Sequence, residues 1–443
     1  MLHGTRLPFP QRPLWSIAMA GITGLSGVPA LAQTQLVKPP IAQYWMDVAT
    51  ISVAGMDDMP DMGALGGLMG GMPGLGSVGF GATHGMMPGR WLDLAVRTQR
   101  KPAGAQALQA IPPGQAMGPS LTLLPVKAAP QQPSMPAPRG DTEPDDDAPP
   151  QQPKGRILLY WGCSDTVRAG QPKVLDFSKA SAADYGRFMM GRAVRDNGAK
   201  AIPGHAIWPN AKHQQKIPAN ASLQGTHTLS GEGLPEGWQF ALGAAQDFMP
   251  KLAITHQGGG AGATRLRWRA LPTAQAYFLS AMSGSDQGDV SEMVIWSASE
   301  LPEPGWGLLD YASNANVAQW LKEKVLLPPG QTECSIPEGI FAKAESAMLR
   351  GIAYGQELNL AHPPRPQNTA IPWTPQWTAK IRVKSVTMVT LGEADAAAAP
   401  AEPAETISAN PAQAPAPTAE PVAPMAIPDL SGVGKVLKGL LGQ

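Results

Sequence analysis

Hydrophobic and polar positions alternate with period two along several stretches of the chain, and each such stretch predicts a strand with one buried face. The clearest is WTAKIRVKSVTMVTL at 377–391. The run QYWMDVATISV at 43–53 is rich in aromatic and β-branched residues and predicts another strand. In GRWLDLAVRT, 89–98, Trp91, Asp93, Ala95 and Arg97 alternate with Leu92, Leu94 and Val96. The last two runs predict an antiparallel pair. Its connection, the Gly/Met-rich stretch 55–89, is oversized for a hairpin. GRILLYWGC (155–163) reads as an apolar strand ending at Cys163, with EMVIWSAS (292–299) and AMLRGIAYG (347–355) as later strands. Between 201 and 251 short apolar pieces are broken by Pro, Gly and Asn, as in an all-β domain.

Helical periodicity is scarce. In SAADYGRFMMGRAVRDNG (181–198) Ser181 can cap a helix that places Ala182, Tyr185, Phe188 and Met189 on one face. LDYASNANVAQWLKEKV (309–325) also reads as helical. In the final segment, 427–443, Val433, Val436, Leu437, Leu440 and Leu441 fall on one helical face, with Lys435 and Lys438 off it. Gly432, Gly434 and Gly439 weaken that helix, so it predicts either docking on a partner or membrane surface, or a frayed tail.

Composition narrows the classes. Of 443 residues, 49 are Gly and 47 Pro, too many for a mostly helical fold. The formal net charge is zero, which gives no basic field for nucleic acid. Two cysteines are too few for a disulfide-dense scaffold or a Cys-rich zinc module.

The first 32 residues read as a secretory signal. Arg6 and Arg12 form the positive region, 14–25 is an apolar stretch, and Ala30-Leu31-Ala32 offers a cleavage site before Gln33. The chain beyond it carries 32 basic and 34 acidic side chains. The expectation is a periplasmic or outer-surface, extracellular protein of bacterial type. In an oxidising compartment Cys163 and Cys334 can pair in one way only. Such a bridge would close about 170 residues and contribute roughly 5 kcal/mol by loop entropy. Two separate buried thiols are the alternative.

The remaining segments are an N-terminal strand pair with its Gly/Met loop (33–127), a Pro-rich acidic linker (128–153), a β-rich domain (154–257), a second β domain with a helical insertion (258–392), and an Ala/Pro-rich tail (393–426) of disordered composition. The strand pair is expected to fold with the later domain, because about ninety residues with so long a loop make a poor independent core.

Leu266, Trp268, Pro272, Ala276 and Tyr277 fill a pattern of apolar residue, core Trp, Pro-bearing turn, Ala and core Tyr. Residues 264–299 thereby resemble a segment of fibronectin type III and related immunoglobulin-like domains. The resemblance implies a β-sandwich with Trp and Tyr in its core, and no particular activity. The expected fold class is mainly β, with one or two sandwich-like units, a few helices, and long disordered linkers and tail.

Candidate chemistry is thin. Met56, Met59, Met62, Met69, Met72, Met86 and Met87 crowd the Gly/Met stretch, joined by His84. Thioether sulfur suits Cu(I), and Met56-x-x-Met59-x-x-Met62 resembles the methionine motifs of periplasmic copper-handling proteins. The expected metal ligands are Met56, Met59, Met62, Met69, Met72 and His84, with copper as the ion. Against that stands a pliable contact loop of Met, Leu and Gly. Gly74-x-Gly76-x-x-Gly79 lacks the strand and helix of a dinucleotide fingerprint. No HExxH, GxSxG or P-loop occurs. Trp373 and Trp377 flank a proline and could form an aromatic platform for a sugar or peptide, or pack internally. The leading expectation is therefore a non-enzymatic binding or cell-envelope interaction protein whose partner is an envelope protein or glycan. A periplasmic copper-binding protein and an envelope glycan or peptide hydrolase are the alternatives.

Overall fold

The period-two run 377–391 forms a single strand of 15 residues that sits at the middle of the architecture. The computed structural model describes residues 35–55, 79–127, 155–259, 262–287 and 290–392. The first 32 residues, read above as a secretory signal, Met56 to Met72, the acidic linker, the Ala/Pro-rich tail and the segment 427–443 lie outside the described residues.

In chain order the strands are β1 (Ala42–Val53), β2 (Gly89–Thr98), β3 (Ala107–Ala110), β4 (Ser120–Pro125), β5 (Gly155–Trp161), β6 (Lys173–Asp176), β7 (Ala206–Trp208), β8 (Gly225–Gly231), β9 (Gln239–Leu242), β10 (Ile254–Gln257), β11 (Thr264–Trp268), β12 (Ala276–Gln287), β13 (Val290–Ser297), β14 (Glu333–Ile336), β15 (Ala347–Tyr354), β16 (Leu358–His362) and β17 (Trp377–Leu391). Two α-helices are described, α1 (Ala182–Met189) and α2 (Asn314–Lys322). The protein is mainly β, as its composition predicts.

One sheet of 14 strands runs β6-β5-β13-β12-β15-β17-β1-β2-β7-β4-β3-β8-β9, with β16 paired to β17 off this path, and a smaller sheet runs β10-β11-β14. β17 gives one edge to β1, in parallel from Ala42↔Trp377 to Val53↔Met388. Its other edge is divided between β16, at Trp377–Ile381, and β15, at Lys384–Leu391, both antiparallel. β1 pairs in turn with β2, antiparallel, closing the Gly/Met stretch as expected. The large sheet thus draws strands from the N-terminal segment, from 154–257 and from 258–392 alike.

Alternation sorts the side chains of these strands onto two faces. Tyr44, Met46 and Val48 of β1, Leu92, Leu94 and Val96 of β2, and Trp377, Ala379, Ile381 and Val383 of β17 enter one large core. A second core lies on the other face, where Phe278, Ile352, Tyr354 and Val386 meet Val317 and Trp320 of α2. Ile157, Leu159, Leu175 and Ile295 form a third with Phe188 of α1. Trp268 and Tyr277 are both buried and meet edge to face, ring centres 5.7 Å apart, although β11 and β12 belong to different sheets. Segments 111–123 and 217–229 lie side by side: β4 and β8 flank β3, and Ser222 N–H donates to Gly114 O at 2.8 Å.

α1 begins as its sequence predicts, with a capping box between Ser181 and Asp184. It stops at Met189, well short of Gly198. The chain beyond is held in extended form by tertiary partners. The Arg192 N–H donates to Glu303 Oε2 at 3.0 Å, the Val194 N–H to Gly307 O at 2.9 Å, and the Ala199 N–H to Asp47 Oδ2 at 2.9 Å. These bonds outweigh the helical preference of the segment.

A polar chain crosses the main core. Tyr44 Oη donates to Gln109 Oε1 at 2.7 Å, Gln109 Nε2 donates to His227 Nδ1 at 3.1 Å, and His227 Nε2 donates to Leu223 O at 2.8 Å. Only a neutral ring can accept at Nδ1 and donate at Nε2. Burial lowers the pKa of His227 from the ordinary histidine value, so the fold keeps that tautomer. Cys163, just after β5, is disulfide-bonded to Cys334 on β14, which ties the large sheet to the small one across 171 residues.

Two outcomes follow. Reduction of the disulfide returns the loop's conformational freedom to the unfolded chain and should cost about 5 kcal/mol of stability. The urea midpoint of the reduced, alkylated chain should fall accordingly; an unchanged midpoint would contradict the constraint. His227 binds its proton more weakly folded than unfolded, so stability is complete above about pH 6.5 and declines as pH falls below it. Urea midpoints taken between about pH 7.5 and about pH 5 should show that decline.

Candidate binding site

The parallel register of β1 and β17 stacks rungs of side chains on the face opposite the main core: Gln43 with Thr378, Trp45 with Lys380, Asp47 with Arg382, and Ala49 with Lys384. The first two rungs line an open groove and the next two are sealed. β16 adds Asn359 beside Lys380. The groove has a volume of about 320 Å³, and Trp373 closes it from the segment before β17.

Both indoles are fixed by their surroundings. Trp45 stacks on His205, ring centres 5.2 Å apart and 10° from parallel. The backbone of Trp373 is clasped by the N-terminal strap, with its N–H donating to Leu36 O at 2.8 Å and its carbonyl accepting from Lys38 N–H at 2.9 Å. Its indole Nε1 donates to Pro363 O at 3.0 Å, and the Arg365 guanidinium lies 5.6 Å from the ring centre. Asn359 Nδ2 and Lys380 Nζ both reach Glu357 Oε1, at 2.7 and 3.1 Å, and Glu357 is buried. Side chains locked in this way lose little entropy when a ligand arrives.

Trp377 does not join Trp373. It falls on the other face of β17, is 7% exposed, and stacks on Trp238 at 5.4 Å and His362 at 5.6 Å. The tryptophan that lines the groove together with Trp373 is Trp45, whose aromatic character the sequence showed only as strand propensity.

The sealed rungs hold an ion network. Arg382 Nε and Nη2 meet Asp47 Oδ1 and Oδ2, both at 2.6 Å, in a bidentate pair that is all but excluded from solvent. A Cβ at Gly198 would collide with this pair, so only glycine lets the strap pass over it. Lys384 Nζ reaches Asp310 Oδ1 at 2.7 Å, and Asp310 Oδ2 reaches His84 Nδ1 at 3.0 Å. The Tyr311 ring centre lies 4.3 Å from both cations. Burial works against the Arg382 cation, but Asp47 outweighs it and raises the pKa. Burial also pushes Asp310 up, yet His84 and Lys384 together hold its carboxyl well below the usual range. For Lys384 burial wins and the pKa is lowered despite Asp310.

Asp93 lies opposite Asp47 in the β1–β2 register. Burial raises its pKa, against hydrogen bonds from Thr83 and Gly81. Both carboxylates are buried and occupied by donors, and neither lines the groove. They support the floor of the site and offer no exposed acid–base pair. His84 is bound to Asp310 and packs edge-on to Tyr311, 5.7 Å between ring centres. The other expected metal ligands, Met56, Met59, Met62, Met69 and Met72, lie outside the described residues. Among the described residues no group of three or more His, Cys, Asp or Glu is placed to hold a metal ion. No protein-family model matches the chain, and no curated protein matches it.

Removing Asp47 strands a buried guanidinium, so Asp47→Ala should cost about 3–5 kcal/mol. Asp47→Leu with Arg382→Met should recover much of that loss. Urea unfolding of the parent, of Asp47→Leu and Arg382→Met singly and of the double variant checks it; simple additivity of the two single substitutions would argue against a coupled buried pair.

Proposed function

We propose that this chain is an exported, non-enzymatic binding protein of the cell envelope, and that its ligand is a glycan seated between Trp45 and Trp373. The observation that carries the reading is the groove itself. Its volume stands at the small end of ligand sites. Two indoles bound it, and Gln43, Asn359, Thr378 and Lys380 supply donors and acceptors between them. A sugar ring has an apolar face that stacks on indole and a rim of hydroxyls that pairs with amides. Recognition of a peptide by strand addition has no support here, because β1 and β17 are paired along both edges where they form the floor. Export is supported by the disulfide, which belongs in an oxidising compartment, and by the signal-like first 32 residues.

The test is titration of the purified chain with soluble oligosaccharides, N-acetylglucosamine oligomers and peptidoglycan fragments among them, followed by calorimetry and indole fluorescence. Binding should weaken about tenfold in Trp45→Ala and in Trp373→Ala with stability little changed. Trp377→Ala should instead lower stability by about 3–5 kcal/mol. Binding that persists when both Trp45 and Trp373 are replaced, or no binding of any glycan, would overturn the reading.

A further inference from the structure

Arg350 departs from the way this fold treats its other withdrawn arginines. Arg382 has Asp47, and Arg192 has Glu303 and Glu323 at 3.1 and 2.7 Å. Arg350 lies on β15, between Ser280 of β12 and Met388 of β17. Among the described residues its side chain has neither a hydrogen bond nor a carboxylate partner; its Nε is shut off from solvent, while the residue as a whole is partly exposed. Burial lowers its pKa. An arginine stays charged under any such shift, so the partly exposed guanidinium stands beside apolar side chains with no carboxylate of the described residues to answer it.

The space beside it is about 20 Å³, lined by Met282, Trp306, Leu309 and Met348, with Ser280 the other polar side chain. That is room for the head of a small anion and not for a whole ligand. Trp306 is 39% exposed at the rim and offers an apolar surface to whatever body follows the head. We infer that Arg350 anchors the carboxylate of a small monocarboxylate with an apolar body, bidentate on the guanidinium, with its hydrocarbon part laid across Trp306 and Leu309. Charge complementarity selects the head, and the apolar wall selects the body. The site is separate from the Trp45–Trp373 groove and does not depend on it.

The probes are sodium hexanoate, hexan-1-ol and sodium acetate, titrated calorimetrically into the full chain. Hexanoate should bind saturably and quench indole fluorescence, acetate should bind more weakly, and hexan-1-ol should bind about tenfold more weakly or not at all. Arg350→Met should abolish the preference for hexanoate over hexan-1-ol, and Arg350→Lys should weaken it. Without ligand, Arg350→Met should be no less stable than the parent chain, since it removes a partly withdrawn charge that no carboxylate of the described residues answers. Equal binding of hexanoate and hexan-1-ol, no saturable binding of hexanoate, or a marked loss of stability in Arg350→Met would each overturn the inference. The last result would show that an acidic residue of the chain itself already answers the guanidinium.

Discussion

A carboxylate and a guanidinium withdrawn together from water, Asp47 and Arg382, hold the register on which the rest of the structure depends. A slip of one residue between β1 and β17 would turn one of the two charges toward the main hydrophobic core and leave the other without its partner. It would also bring either Tyr44 and Met46 of β1 or Ile381 of β17 out of that core. Such a pair adds little net stability over well-packed hydrocarbon, but breaking it is costly. Its contribution is therefore to single out one alignment among several that alternation alone would permit. With that alignment set, Trp45, Lys380, Gln43 and Thr378 fall beside one another at the open end of the same face.

The fold was legible wherever local pattern decided it. The alternation of 377–391 marked the longest strand, and Ser181 marked the start of α1. The β1–β2 pair was legible through the long segment that separates its strands. The end of α1 was not, because Glu303, Gly307 and Asp47, all distant in sequence, hold the following residues extended. Periodicity carries no information about partners of that kind.

The site was half legible for a related reason. Trp373 stood out beside a proline, and so did Trp377, yet strand parity sends Trp377 into the core. Trp45 was hidden within a run that read only as strand, and its role depends on a parallel partner more than 300 residues away. Asp47, Asp93 and Arg382 could be seen as charges interrupting apolar strands, but not as neighbours. A charged residue in the inward rhythm of two distant strands is the signal that could have linked them.

The marriage of the first long strand to the last has a consequence in time. β1 cannot complete its pairing until residue 377 and those after it are available, and the disulfide must likewise wait for Cys334. Contacts of such sequence separation make for slow closure. Until that last strand is made, the edge of β1 that it occupies has no partner and the central register of the large sheet is unset.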